Sequence, residues 1–149
     1  MKAVIQRVSE ASVVVNKKQI SGIDRGLLVL LGLEEGDGPV DLDYMIKKIL
    51  GLRIFPNEQG LFDLSVRDVE GELLVVSQFT LLANCKKGNR PSFSSAMPVA
   101  DARVFFQQVE KEFLQAYPRV RFGKFQEDMR VNLCNDGPVT LILESPGKG

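Results

Sequence analysis

Apolar residues recur along the chain with two periods. Residues 2–8, 11–16 and 20–23 alternate apolar and polar positions, the two-residue period of a strand with one buried face. The polar stretch Asn16-Lys17-Lys18-Gln19 predicts a hairpin tip between the second and third of these. Residues 26–33 form a continuous apolar run broken only by Gly32, and predict a strand buried on both faces. Residues 72–82 predict another long strand, ending in Ser77-Gln78-Phe79-Thr80-Leu81. Residues 52–55, 61–69 and 119–122 predict shorter extended pieces. Residues 129–134 and 139–143 predict two strands flanking Asn135-Asp136-Gly137-Pro138, which is dense turn chemistry.

The second period is helical. Within residues 40–50, Leu42, Met45, Ile46, Ile49 and Leu50 share one face. Asp41 and Asp43 stand in the first turn and Lys47 and Lys48 near the last, the order that suits the helix dipole. Residues 100–117 repeat the pattern with Ala102, Phe105, Phe106, Val109, Phe113 and Ala116, and Pro118 ends it. Between strand 72–82 and this helix, residues 83–99 form a loop longer than compact domains usually carry without a function. The order of elements predicts one α+β domain over residues 1–149, with two main helices packed on a largely antiparallel or mixed sheet. Residues 145–149 are expected to be a frayed tail.

Composition narrows the chemistry. A hydrophobic content of 44% and a charged content of 26% over 149 residues describe an ordinary globular domain with a real core. No apolar run approaches the roughly 20 residues that cross a bilayer. No signal peptide is expected, and two cysteines, Cys85 and Cys134, are too few for a disulfide scaffold; the expected setting is cytoplasmic, with free thiols. The chain has no histidine, which removes Ser-His and Cys-His nucleophile pairs and histidine-containing zinc sites. The acidic loop 34–39 lacks the spacing of a calcium loop. No metal and no organic cofactor are expected. Nineteen basic and nineteen acidic residues cancel, so a nucleic-acid partner needs a local basic patch.

Four stretches are candidates for function. Ser77, Gln78 and Thr80 close a hydrophobic strand. They read either as polar groups satisfying the strand end or as a site of amides and hydroxyls that stabilises an oxyanion without an ionisable base. Lys86, Lys87 and Arg90, followed by Phe93, read either as a solvated loop or as a basic surface beside a base-stacking ring. Arg119, Arg121 and Lys124 form a second basic stripe. Asn135-Asp136-Gly137-Pro138-Val139-Thr140 reads as a surface turn, and its proline makes it one of the few places where a cis peptide is tolerated.

Taken together, Ser77-Gln78-Phe79-Thr80-Leu81, Asn135-Asp136-Gly137-Pro138-Val139-Thr140, the loop 87–93 and the opening Gln6-Arg7-Val8 resemble the D-aminoacyl-tRNA deacylase family over essentially the whole chain. The resemblance implies a homodimer that hydrolyses the ester between a D-amino acid and the terminal adenosine of tRNA, with glycyl-tRNA as a side substrate. It implies a cis Gly137-Pro138 peptide that reaches into the partner's pocket, faces Ser77, Gln78, Phe79 and Thr80, and excludes L-side chains. Arg7 resembles the arginine that braces this turn, and Met129 would line the pocket. Asn135, Lys87, Arg90 and Phe93 are the further candidate substrate contacts. Thr80 would act either as a nucleophile or as part of a pocket in which the adenosine 2′-OH activates water. The absence of histidine favours the latter. The competing readings are a non-catalytic module that binds the tRNA acceptor end and a small-ester hydrolase with no need for tRNA.

Overall fold

A computed structural model describes residues 1–146. The alternation expected as two separate strands over residues 2–16 is one strand, β1 (Lys2–Val15). Its burial changes phase midway. Ala3 and Ile5 enter one core cluster, while Val8, Ala11, Val13 and Val15 enter a second. An irregular register around Ser9, between Val8 and Glu10, accompanies the change of face. The first half of β1 pairs antiparallel with β3 (Gly26–Gly32) and the second half with β2 (Lys18–Ile23), which closes the expected hairpin. β6 (Glu72–Ser77) and β7 (Val120–Phe122) extend the sheet in parallel, so the sheet is mixed.

The apolar runs in β3 and β6 have the same explanation. Leu27, Val29, Leu31, Leu73 and Val75 pack under the helices, while Leu28, Leu74 and Val76 pack against the curled second half of β1. Both faces of the central strands are therefore dry. Helix α1 (Pro39–Gly51) contributes Leu42, Met45, Ile46, Ile49 and Leu50, and α2 (Val99–Ala116) contributes Ala102, Phe106, Val109 and Phe113, all to the first cluster. At roughly 25 cal/mol per Å² of apolar area, this burial is the dominant favourable term for the fold. Among the described residues, no helix is long and apolar enough to cross a membrane.

Several elements differ from the sequence pattern, each for a local reason. The long strand expected over 72–82 stops at Ser77, and residues Phe79–Leu82 form a turn of 3-10 helix. The partner strand β3 ends at Gly32. A Cβ there would lie 2.6 Å from a Leu82 methyl and 3.0 Å from the Gln78 carbonyl, so glycine lets the chain fold back over the strand end. The extended stretch expected over 61–69 is limited to β5 (Phe62–Leu64), which pairs with β4 (Phe55–Pro56) in a separate two-stranded ribbon. Beyond it, the Ser65 amide donates to the Asp68 carboxylate at 2.8 Å and the Asp68 amide to the Ser65 hydroxyl at 3.2 Å, which folds the chain into a turn.

The long loop 83–99 is tied down. The Asn84 and Ser92 backbones exchange hydrogen bonds of 2.7 and 3.0 Å, the Ser95 hydroxyl donates to the Leu82 carbonyl at 3.2 Å, and the Met97 amide donates to the Leu33 carbonyl at 3.0 Å. The acidic loop after β3 holds the N-terminus: the Met1 ammonium lies 2.8 Å from Asp37 and 3.6 Å from Glu34. Ser145 also belongs to this cluster. Its hydroxyl accepts from the Met1 ammonium at 3.1 Å and its amide donates to the Met1 carbonyl at 3.0 Å. Ser145, expected to open a frayed tail, is thus held in place, and residues 147–149 of that expectation lie outside the described residues.

The largest difference concerns Asn135–Thr140. The flanking segments do not pair with each other. Both belong to β8 (Arg130–Glu144), and both pair antiparallel with β1. Gln6 faces Thr140 and Val8 faces Asn135, so the four residues 136–139 stand opposite the single residue Arg7. The stretch is a wide bulge within one long strand, not a hairpin turn.

Candidate active site

The candidate residues fall into two clusters and one flanking loop. The first cluster lines a cleft of about 690 Å³ between the end of β6, the loop before α2 and the segment before β8. Ser77, Gln78, Phe79, Phe93 and Met129 all border it. Ser77 is carried to the rim by its pairing with Leu31, and the Gln78 amide continues that ladder by donating to the Leu31 carbonyl at 2.8 Å. The chain then enters the 3-10 turn. Its first two amides, those of Phe79 and Thr80, have no acceptor within the turn, because the first 3-10 bond runs from Leu81 to the Gln78 carbonyl. The Gln78 side-chain amide donates to the Thr80 hydroxyl, which joins Thr80 to the cleft although it is not part of the lining.

Aromatic and sulfur contacts fix the walls. Phe79 is 60% exposed, yet its ring meets Phe93 edge-on at 5.1 Å, so the basic loop is docked to the start of the 3-10 turn. On the opposite wall, the Met129 sulfur accepts from the Lys124 amide at 3.3 Å, and a Cβ at Gly123 would lie 2.8 Å from that sulfur. Phe125 lines the cleft and stacks on Phe106 of α2 at 5.6 Å. Gln126, with a positive φ of 64°, accepts from the Arg103 guanidinium.

The second cluster is the bulge. The Gly137–Pro138 peptide is cis. Arg7 lies beneath it, 8% exposed, with its Nε donating to the Asp136 carbonyl at 2.8 Å and its Nη1 to the Ile54 carbonyl at 2.7 Å. The fork of the guanidinium suits two carbonyls at fixed positions. Asn135 closes the bulge from the other side: its Oδ1 accepts from the Val139 amide at 2.7 Å, and its Nδ2 donates to the Val139 carbonyl at 3.2 Å and the Thr140 hydroxyl at 3.0 Å. Gly137 has a φ of +152°, and a Cβ there would meet the Val139 amide nitrogen at 2.8 Å. Asp136, Gly137 and Pro138 are exposed, and none of them lines the cleft of its own chain.

Lys87 and Arg90 are exposed on the loop and line neither cluster. The stripe Arg119/Arg121/Lys124 is partly engaged, with Arg119 donating to the Glu70 carbonyl at 3.1 Å and Lys124 lying 3.8 Å from Glu127. Both cysteines are free and exposed.

A model of the D-Tyr-tRNA(Tyr) deacylase family matches residues 4–144. The chain belongs to this family. It is 53% identical to a D-aminoacyl-tRNA deacylase of Geotalea daltonii, over 98% of this chain and 97% of the relative, and 50% identical to one of Pseudomonas aeruginosa, over 97% and 100%. The solved structure of a c-Myc DNA unwinding element binding protein superimposes with a TM-score of 0.93 at 46% identity, covering 99% of this chain and 100% of that one. A probable eukaryotic D-amino acid tRNA deacylase shares the fold at a TM-score of 0.79 and 16% identity, covering 95% and 97%.

Of the cleft's border, the sequence singles out Ser77, Gln78, Phe79, Phe93 and Met129 and leaves the rest unmarked. Leu31, Met97, Phe125 and Asp128 border the space but sit in stretches with no distinctive local chemistry. The positive φ of Gln126 had no signal in the sequence, because glutamine is not a residue that advertises a left-handed backbone.

Proposed function

We propose that the chain hydrolyses the ester between a D-amino acid and the terminal adenosine of tRNA, in the cytoplasm and as a homodimer. The observation that carries this reading is a cleft bordered by Ser77, Gln78 and Phe79, at the start of a 3-10 turn whose first two amides have no acceptor within the turn. A chain without histidine has no ready base for a serine or threonine nucleophile. Oxyanion stabilisation and positioning remain. The amides of Phe79 and Thr80 receive the charge that develops on the ester carbonyl as water, activated by the adenosine 2′-OH, adds to it, and the bond to the adenosine 3′-oxygen breaks as the proton given up by the water is passed through the 2′-OH to that oxygen. One such donor is worth about 10²–10³ in rate, and holding the ester in register adds to this. Gln78, fixed by Thr80, orients the adenosine end.

In this reading the exposed Asp136–Pro138 bulge, which does not line its own cleft, enters the cleft of the second protomer. Its carbonyls hold the substrate's α-ammonium, and the rigid backbone leaves no room for an L-side chain. Exclusion by a fixed wall gives more discrimination than an apolar contact can. Glycine carries nothing to exclude, so glycyl-tRNA is also a substrate. Lys87 and Arg90 meet the acceptor-end phosphates, and Phe93 stacks on a base.

The test is release of amino acid from D-tyrosyl-tRNA and L-tyrosyl-tRNA in parallel, with no added metal. Release from the D form alone is expected. Binding of tRNA with release from neither form would overturn the reading in favour of a binding module. Release from both would remove the bulge from its role.

A further inference from the structure

Phe62 has no obvious reason to be a phenylalanine. It lies on the two-stranded β4–β5 ribbon, which pairs with nothing in the main sheet, and it is 58% exposed. Its neighbour Phe55 is fully buried, so the core accounts for one aromatic of the ribbon and not the other. What Phe62 touches is Arg7: the guanidinium carbon lies 5.7 Å from the ring centroid. Ile54, the residue just before β4, supplies the carbonyl that accepts from Arg7 Nη1 in a buried bond. Arg53 secures the ribbon further by donating to the Asp63 carbonyl at 2.7 Å and pairing with the Asp63 carboxylate, which holds that carboxyl below its usual range.

Arg7 is therefore held on three sides. Ile54 fixes one nitrogen, the Asp136 carbonyl takes Nε, and the Phe62 ring limits how the guanidinium plane can turn. The geometry points to Phe62 as a positioning residue for the bulge: by covering the Arg7 guanidinium it keeps Nε–H aimed at the Asp136 carbonyl, and so sets how rigidly Asp136–Pro138 discriminates between D and L substrates. The inference rests on the reading of the bulge as the chiral wall. A ring over a cation is weak by itself and becomes stronger as the pair is desolvated. Arg7 is largely removed from water, and its Nη2 lies 3.3 Å from where a Cβ on Gly137 would stand. The guanidinium thus lies close beside the residue that precedes Pro138, and it holds the carbonyl of Asp136 directly.

The test compares kcat/KM for D-tyrosyl-tRNA and L-tyrosyl-tRNA across F62A, F62L, F62Y and R7K, with far-UV circular dichroism on each variant. F62A and F62L are expected to lower the D-over-L ratio by roughly 3- to 30-fold, the factor equivalent to a cation–π contact. F62Y, which keeps a ring face, is expected to hold the wild-type ratio. R7K is expected to collapse it, and F62A added to R7K is expected to lower it no further, because the ring acts only through the guanidinium. A merely structural phenylalanine would move the melting temperature without moving this ratio. A wild-type ratio in F62A or F62L, in a background where R7K has lost discrimination, would overturn the inference. An undiminished ratio in R7K would instead overturn the chiral-wall reading on which it stands.

Discussion

Asn135 grips both backbone polar groups of Val139, accepting from its amide at 2.7 Å and donating to its carbonyl at 3.2 Å. This pinning decides what happens at Gly137. A Cβ on Gly137 would lie 2.7 Å from a Val139 methyl and 2.8 Å from the Val139 nitrogen, and Val139 cannot retreat without breaking both Asn135 bonds. The φ of +152° at Gly137 is also one that side-chain-bearing residues rarely adopt. Gly137→Ala is expected to lose about 1–3 kcal/mol of stability and most of its D-over-L discrimination. Denaturant melts and parallel assays on the two charged tRNAs check both. Unchanged selectivity in a folded variant would count against the wall.

Thr80 separates two mechanisms. Its hydroxyl accepts from the Gln78 side chain, and there is no histidine anywhere in the chain to take its proton. If Thr80 only orients Gln78, Thr80→Ala is expected to retain measurable turnover, with kcat lower by about 10- to 100-fold. A variant that folds and binds tRNA but shows no turnover, or an acyl-enzyme trapped in the wild type by rapid acid quench and mass spectrometry, would restore the covalent route.

The fold was readable where local pattern and tertiary context agree. The apolar faces of residues 40–50 and 100–117 become α1 and α2 because a 3.6-residue stripe has only the sheet to pack on. The continuous run in 26–33 becomes a strand covered on both faces. The site was less readable. Asn135-Asp136-Gly137-Pro138 carries the chemistry of a turn between two strands, and nothing local reveals that both flanks pair with the same neighbour. Ser77 to Leu82 looks uniformly extended until Gly32, 45 positions before Ser77, lets the chain fold back. Arg7 lay in a plain alternating strand, and only family resemblance singled it out. Nothing local to Phe62 marks it, because its partner Arg7 is 55 residues away in sequence.

Burial pushes the Glu110 carboxyl on α2 above its ordinary value of 4.5. A carboxylate whose pKa is higher folded than unfolded binds its proton more tightly in the native state. Its favourable contribution is therefore complete below the unfolded pKa and is lost as pH rises through the folded one. At neutral pH the folded chain carries an ionised, partly desolvated group that it would be more stable without. Glu110→Gln is expected to raise the melting temperature at pH 7, and the gain is expected to vanish near pH 3, where the wild-type group is protonated in both states. A gain of the same size at both pH values would mean that the effect comes from packing and not from the charge.

Lys87 and Arg90 sit outside the cleft on the loop that Phe93 docks to Phe79, so any contact they make is with parts of the substrate beyond the aminoacyl ester. Phosphates are the chemistry that suits two exposed cations, and a contact of that kind releases a condensed counterion. Lys87→Glu and Arg90→Glu are each expected to raise KM for D-tyrosyl-tRNA, leave kcat near the wild-type value, and flatten the slope of log KM against log salt by about one. The same variants are expected to hydrolyse D-tyrosyl-adenosine, which has no phosphates, as fast as the wild type does. Weakened turnover of this short substrate would mean that the loop shapes the cleft through Phe93. Wild-type KM and salt slope on the full tRNA would mean that these two cations face only water.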